Sequence, residues 1–329
     1  MLAKILIFSQ HPRGTSGGGI LRYCNELQRL FQNDKDFDIQ LIEEMPYPHK
    51  FWVAKYNSKE LEETIAQSGC DIVHVNGFVT LGISQVINTA KRLNKKVVYT
   101  PHWHPFGTLR RPFLGKCFFK IMLESKIKHK VDRIITFNNE DSAFFKKLNG
   151  KVSKIPHWAN SLATQRDIKK NANQILFVGG RLNDGNKGIE HIFSIPYRKY
   201  NIHIVGNGNV TLRDDMTLHS DITDDELFEL YSQSSLVVVP SRYESFSYVS
   251  LESLCCGTPI VISDRVRIGD YLKDCPSCRI FKYHDFNDFN DAINDTIGNN
   301  NKTIDYLNQF SLQKAKEAYR ELYQTVLSR

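Results

Sequence analysis

No apolar run in this sequence approaches the roughly 18–20 residues that a membrane span needs; the longest, such as Leu236–Val239, are strand-sized. Lys4 precedes only Ile5–Phe8 before the chain turns polar, too short a core for a secretory signal, so the chain reads as cytoplasmic. An even cysteine set is also lacking. The seven cysteines mostly occupy apolar settings, such as Cys255-Cys256, which argues for reduced thiols and against a disulfide framework. Cys275-Pro-Ser-Cys278 has CxxC spacing but no second Cys or His pair near it, favouring a solvated turn over a zinc site. There is no repeat of fixed period, and no low-complexity tract beyond the short run Asn299-Asn300-Asn301.

Two common nucleotide signatures are missing as well. Pro12-Arg-Gly-Thr-Ser-Gly-Gly-Gly19 follows the first strand pattern, yet it is neither GxGxxG with a later ribose acid nor a loop ending Gly-Lys-Ser/Thr. Dinucleotide oxidoreductases and P-loop NTPases therefore lose their main support. No acidic DxD-type motif stands in the expected strand context. The doublets Asp214-Asp215 and Asp224-Asp225 read as solvated loops and helix caps, so no metal is expected.

What is present is ample core. The chain has 329 residues, of which 41% are hydrophobic, with 20 Phe, 14 Tyr and 3 Trp, which excludes wholesale disorder. That length implies two domains. Strand patterns at Lys4–Phe8, Asp38–Ile42, Ile72–Val75, Lys96–Thr100 and Arg133–Phe137 are mostly separated by helical ones. After the polar stretch 160–173 a second series runs through Gln174–Val178, Asn201–Val205, Ser235–Pro240, Pro259–Ser263 and Ser277–Phe281. Helices fit at Gly188–Ser194, Asp224–Gln233, Tyr248–Cys256 and Asp285–Ile297, and Thr303–Arg329 is an amphipathic helical pattern. Alternation of this kind predicts parallel α/β sheets. The expected organisation is two Rossmann-like domains, 1–160 and 161–302, with their strand ends facing an interdomain cleft, and a final helical segment 303–329.

The chemistry concentrates in four stretches. Val239-Pro-Ser-Arg-Tyr-Glu-Ser-Phe-Ser-Tyr-Val-Ser-Leu-Glu252 runs from a buried strand through a loop into a helix. Amides of Phe246, Ser247 and Tyr248 at that helix start suit an anion such as a diphosphate. Glu244 and Glu252 can each accept two hydroxyls of a sugar or ribose, although carboxylates near a helix start also serve as dipole complements. Phe177-Val-Gly-Gly-Arg181 with Lys187-Gly188 offers glycines for close approach and two cations for phosphates; as a bland alternative it is a turn. Gly17–Gly19 exposes backbone before the first helix. Tyr99-Thr-Pro-His-Trp-His-Pro105 carries His102 and His104 without acidic or Cys partners, which favours a hydrogen-bonding His102 over a metal site. His157, beside Trp158, reads as structural.

In this order the four stretches resemble glycosyltransferase family 4, the retaining GT-B enzymes that use activated sugars. Gly17 and Gly18 resemble its N-terminal glycine loop, and His102 its histidine after a central strand. Gly180-Arg181-Leu182 with Lys187-Gly188 resembles its phosphate motif, and Val205-Gly206-Asn207-Gly208 its next strand turn. Glu244 and Glu252 stand at the spacing of its paired glutamates, and Phe310 to Leu322 resembles its terminal helix, which crosses back to the N-terminal domain. Ser247 stands where the family usually has glycine, and Gly179 adds a second glycine before the arginine.

The resemblance implies an acceptor-binding domain 1–160 and a nucleotide-sugar-binding domain 161–302. Arg181 and Lys187 would hold the donor diphosphate, Glu252 the ribose, and Glu244 the transferred sugar with help from Ser245, Phe246, Ser247 and Tyr248. His102 would lie near the sugar. Asn207, His219 and Ile222 are candidates for the base. The implied reaction moves a sugar from a UDP-sugar, or a GDP-sugar, to a hydroxyl of a glycan or lipid-linked glycan of the cell envelope, with no cofactor. A nucleotide-sugar-binding protein without transfer activity is the alternative.

Net charge is +7, and residues 110–133 concentrate it: eight Lys and Arg lie among Phe113, Leu114, Phe118, Phe119, Ile121, Met122 and Leu123. Such a stretch either rests on an anionic membrane surface or is a helix with a basic outer face. Nucleic acid ranks last among anionic partners, because no recognisable binding motif accompanies the charge.

Overall fold

A computed structural model describes residues 2–9, 18–42, 55–77, 80–102, 116–117, 119–159, 169–183, 185–298 and 304–328. The chain divides into two units, Met1–His157 with Leu312–Arg329, and Trp158–Ser311. Of the 303–329 stretch, residues up to Ser311 therefore belong to the second unit and the remainder to the first.

The first unit holds β1 (Ala3–Ser9), β2 (Phe37–Ile42), β3 (Ile72–Asn76), β4 (Lys96–Thr100), β5 (Arg133–Thr136) and β6 (Val152–Lys154). They form one parallel sheet in the order β2-β1-β3-β4-β5-β6. Ile5–Phe8 and Ile72–Val75 are buried along their whole length, as expected for central parallel strands covered on both faces. Intervening helices start on side-chain caps: Asn57, Thr80 and Asn138 each accept a first-turn amide, which satisfies a donor the helix itself leaves open.

Polar groups inside this unit pair with one another. His74 Nδ1 lies 2.9 Å from the Tyr323 hydroxyl and its Nε2 2.8 Å from Thr100 Oγ1, while the hydroxyls of Tyr23 and Tyr319 are 2.6 Å apart. Tyr319 and Tyr323 come from the helix Leu312–Leu327, whose Lys316 and Arg320 also pair with Asp34 at 3.0 and 2.6 Å. Burial lowers His74 to a pKa of about 3, so it is neutral at physiological pH.

The second unit holds β7 (Asn171–Arg181), β8 (Asn201–Asn207), β9 (Met216–His219), β10 (Ser234–Val239), β11 (Ile260–Ser263) and β12 (Cys278–Phe281). Its sheet is again wholly parallel, in the order β12-β11-β10-β7-β8-β9. Leu236–Val238 and Ile260–Ile262 are completely buried. A capping box closes the start of the helix Asp224–Gln233: Thr223 accepts from the Glu226 amide, and Glu226 accepts from the Thr223 amide.

Three local features depart from the sequence reading. Strands β6 and β9, both at sheet edges, are too short and too mixed in polarity to announce themselves. The C-terminal helical pattern is interrupted: a helix Ile304–Leu307 passes into a tight 3-10 turn at Asn308–Phe310, and Ser311 is extended before the last helix begins. Phe310 is buried against Phe246 and Tyr271, and its carbonyl accepts the Ala159 amide, which stops the helix there. Cys275 and Cys278 do form a turn, closed by the Cys278 amide on the Cys275 carbonyl, but Cys275 is buried and not solvated.

Candidate functional site

The site candidates of the second unit share one edge of its sheet. Arg181 ends β7, Asn207 ends β8, His219 ends β9, and the loop to Glu244 leaves β10. Ligands of open parallel sheets bind beyond this carboxyl edge.

Backbone geometry decides which residues meet. In the β7–β8 register Gly180 faces Gly206 and Arg181 faces Asn207. Gly206 has φ +152°, and a Cβ there would lie 2.8 Å from the Gly180 carbonyl, so the two strand ends approach closely only without side chains. Arg181 is thereby held exposed beside Asn207, whose amide donates to Asp221 Oδ1 at 2.9 Å. His219 stacks on His203 with ring centroids 5.0 Å apart and a 3.0 Å nitrogen contact. Burial, then the neighbouring His219, lower the His203 pKa. Ile222 follows Asp221 in the turn after β9, half-buried.

The second junction joins the β7 and β10 loops. The Arg242 amide donates to the Asn186 carbonyl at 2.7 Å, and the Asn186 side-chain amide donates to the Tyr243 carbonyl at 3.0 Å. Gly188, at φ +73°, lies so close to the Pro240 carbonyl that a Cβ would sit 1.9 Å from its oxygen. These contacts bring Lys187 Nζ to 2.5 Å from Glu244 Oε1, which also accepts from Ser241 Oγ at 3.1 Å. The pair is half-buried, with side chains 29% and 22% exposed, so both charges remain accessible to a ligand. Glu244 is fixed along its backbone too, its amide donating to the Arg265 carbonyl and its carbonyl accepting from Arg267.

The helix Tyr248–Cys255 begins at Ser247, whose hydroxyl accepts the Ser250 amide at 3.2 Å. Serine in the place of glycine thus acts as the helix N-cap, and Ser-x-x-Ser at a loop–helix junction is a signal from which this could have been read. Gly257, at φ +72°, ends the helix as expected. Glu252 is only 7% exposed and its Oε2 accepts from the Tyr231 hydroxyl at 3.2 Å, a partner the sequence did not suggest. Ser245 is half-buried and Phe246 buried.

In the first unit His102 follows β4 at φ +52°, with Nε2 3.1 Å from Asn76 Oδ1. The Asn76 amide donates to the His74 carbonyl, which assigns Oδ1 as the acceptor, so His102 carries its proton on Nε2. Tyr23 and Phe137 pack its ring at 4.6 and 5.1 Å. His157 is buried and stacks on Phe137 at 4.0 Å, in keeping with a structural role. Gly17 and His104 lie outside the described residues, and Gly18 opens the helix Gly18–Leu30.

Residues 110–115 of the basic stretch are likewise outside the described residues. Residues 116–117 and 119–130 are helical: Phe119, Leu123 and Ile127 are buried, while Lys116, Lys120, Lys128 and Lys130 are exposed and Ile121 is 74% exposed. Among the described residues no helix is long and apolar enough to cross a membrane, and no group of three or more His, Cys, Asp or Glu could hold a metal ion.

Residues 161–310 match the family described as glycosyl transferases group 1. An uncharacterized glycosyltransferase of Methanocaldococcus jannaschii is 21% identical over 324 residues, 88% of this chain and 86% of its own. The O-antigen chain mannosyltransferase RfbU of Salmonella typhimurium is 28% identical over 204 residues, 52% of this chain and 57% of its own. The structure of Anabaena HepE in complex with UDP and glucose superposes with a TM-score of 0.71 at 13% identity, covering 98% of this chain and 100% of its own. With two parallel sheets and this superposition, the protein has the GT-B fold. More narrowly, residues 161–310 are its group 1 glycosyl transferase region.

Proposed function

We propose that the protein transfers a sugar, with retention of configuration, from a nucleoside diphosphate donor to a hydroxyl of a cell-envelope glycan. The observation that carries the reading is the Lys187–Glu244 pair, locked between two loops at one sheet edge with Arg181 at the neighbouring strand end. A cation and a carboxylate held side by side suit a sugar diphosphate: Lys187 and Arg181 take the phosphates, and Glu244 takes sugar hydroxyls. Glu252, Oε2 already bonded to Tyr231, takes the ribose, and Asn207, His219 and Ile222 border the base. His102 joins these candidates through the family resemblance.

The chemical demand is stabilisation of the departing diphosphate while the sugar gains oxocarbenium character. Cations held by the loops and the amides of Phe246, Ser247 and Tyr248 at the helix start meet it by preorganised electrostatics. Glu244 holds the sugar while the acceptor hydroxyl attacks the face the diphosphate leaves. That scheme uses no metal and no covalent enzyme intermediate. UDP is the nucleotide we favour over GDP, supported by the HepE complex. The O-antigen relative supports an envelope acceptor. Ile121, exposed among lysines, supports docking of residues 110–133 on an anionic bilayer that presents a lipid-linked acceptor.

The test incubates the full chain with UDP- and GDP-sugars and follows nucleoside diphosphate release and product anomeric configuration. Turnover lost in Lys187→Ala and Glu244→Ala supports the reading. Donor binding with no turnover under any acceptor marks a binding protein, and a trapped glycosyl–enzyme adduct overturns the front-face scheme. Co-sedimentation with anionic but not neutral vesicles checks the membrane contact.

A further inference from the structure

The donor candidates occupy only part of the sheet edge in the second unit. Next to them the loop after β7, with the helix Ile189–Ser194, and the loops after β10, β11 and β12 line a cavity of about 330 Å³, within the size range of small-molecule sites. Its described lining includes Arg242, Arg265, Tyr283, His284, Glu190 and His191, and none of Arg181, Lys187, Glu244 or Glu252.

We infer that this cavity binds a small anionic carbohydrate, a hydroxylated molecule bearing a phosphate or carboxylate. Two guanidinium groups line it against one carboxylate, and among the described residues neither is ion-paired. Arg265 lies over the Tyr283 ring, 4.8 Å from its centroid, and donates to His284 Nε2 at 3.0 Å. Because arginine only donates, His284 keeps its proton on Nδ1 and adds another donor. Glu190 accepts the Tyr283 hydroxyl at 3.0 Å, which leaves its remaining acceptor capacity for a ligand hydroxyl.

His191 supplies an independent sign. It is 1% exposed, its Nε2 donates to the Tyr283 carbonyl at 2.6 Å, and its Nδ1 has no hydrogen-bond partner among the described residues. A buried acceptor without a donor is costly, and a hydroxyl or water would relieve it. Donors for an anion together with acceptors for hydroxyls match a phosphorylated or acidic sugar better than inorganic phosphate. The walls are also fixed in advance, through the Arg242–Asn186 backbone bond and the Glu244–Arg265 bond.

The test titrates the full chain with inorganic phosphate, glucose 6-phosphate and glucose by calorimetry, in the wild type, in Lys187→Ala and in Arg242→Gln/Arg265→Gln. The expected result is that glucose 6-phosphate binds more tightly than phosphate or glucose. Its affinity should be unchanged in Lys187→Ala and weaker by about tenfold or more in the arginine variant. Arg242→Lys, which keeps the charge but loses the fork, should fall between. Equal binding by glucose, loss of binding in Lys187→Ala, no effect of the arginine substitutions, or no saturation at millimolar glucose 6-phosphate overturns the proposal. The Lys187 arm separates this site from the donor reading, so either can fail alone. A product carrying the phosphate identifies an acceptor; a changed donor hydrolysis rate without one identifies an effector.

Discussion

The two units share a parallel six-stranded architecture but treat their polar residues in opposite ways. In the first unit polar groups turn inward: His74, Thr100, Tyr323, Tyr23 and Tyr319 satisfy one another in a buried set held neutral by desolvation. In the second, charges collect at strand ends, half-exposed and pinned by backbone contacts from neighbouring loops. One arrangement stabilises a fold; the other holds charge ready for something that is not part of the chain. A six-stranded parallel sheet can serve either end although the two strand orders differ, because the use lies in the residues that the elements present.

Substitutions should separate these uses. Lys187→Ala should lower donor turnover by roughly 10²–10³, the cost of one electrostatic stabiliser, with little change in melting temperature because the ion pair is partly solvated. Gly188→Ala should instead destabilise the second unit by roughly 3 kcal/mol, since a side chain would collide with Pro240 at a left-handed φ; a denaturant midpoint reads this. Tyr323→Phe leaves His74 Nδ1 short of a partner and should cost about 1–3 kcal/mol of stability without changing donor affinity.

Acid should act on the first unit as well. His74 and His157 are each lowered by burial from 6.5 to about 3, so the folded state stays neutral where the unfolded chain takes up protons. Their contribution is complete above pH 6.5 and is lost as pH falls from 6.5 towards 3, by about 1 kcal/mol per histidine per pH unit. Substituting both with apolar residues should flatten that slope in pH-dependent unfolding. The smallest effect expected is that of Tyr231→Phe, which removes one hydrogen bond to Glu252 and should weaken donor binding by about 1 kcal/mol or less.

Much of this was legible in the sequence. Ile5–Phe8 and Leu236–Val239 are apolar throughout because their strands are covered on both faces, and each is found in a strand. The family resemblance set Lys187 and Glu244 beside one donor, and the fold brings the two into hydrogen-bond contact. What stayed hidden depends on meetings between distant loops. Asn186 is an ordinary turn residue until it bridges to Tyr243, and Tyr231 is a helix aromatic until it meets Glu252. Arg242, Arg265 and His284 come from three connections, and no local pattern announces that they share a cavity. The break at Ser311 was missed for a related reason: Phe310 is held by Phe246 and Tyr271, not by its helical neighbours.

That break bears on how the protein is made. The first unit leaves the ribosome early, but Tyr319, Tyr323 and Arg320, which complete its interior and neutralise Asp34, are translated only after the second unit. Until then Tyr23 and His74 lack the hydroxyls of Tyr319 and Tyr323, and the nascent amino-terminal half must wait, with apolar surface uncovered, while the whole second unit is synthesised. A fragment ending near residue 157 should accordingly be a client for chaperones, whereas residues 158–311 form a continuous stretch that can be expressed alone.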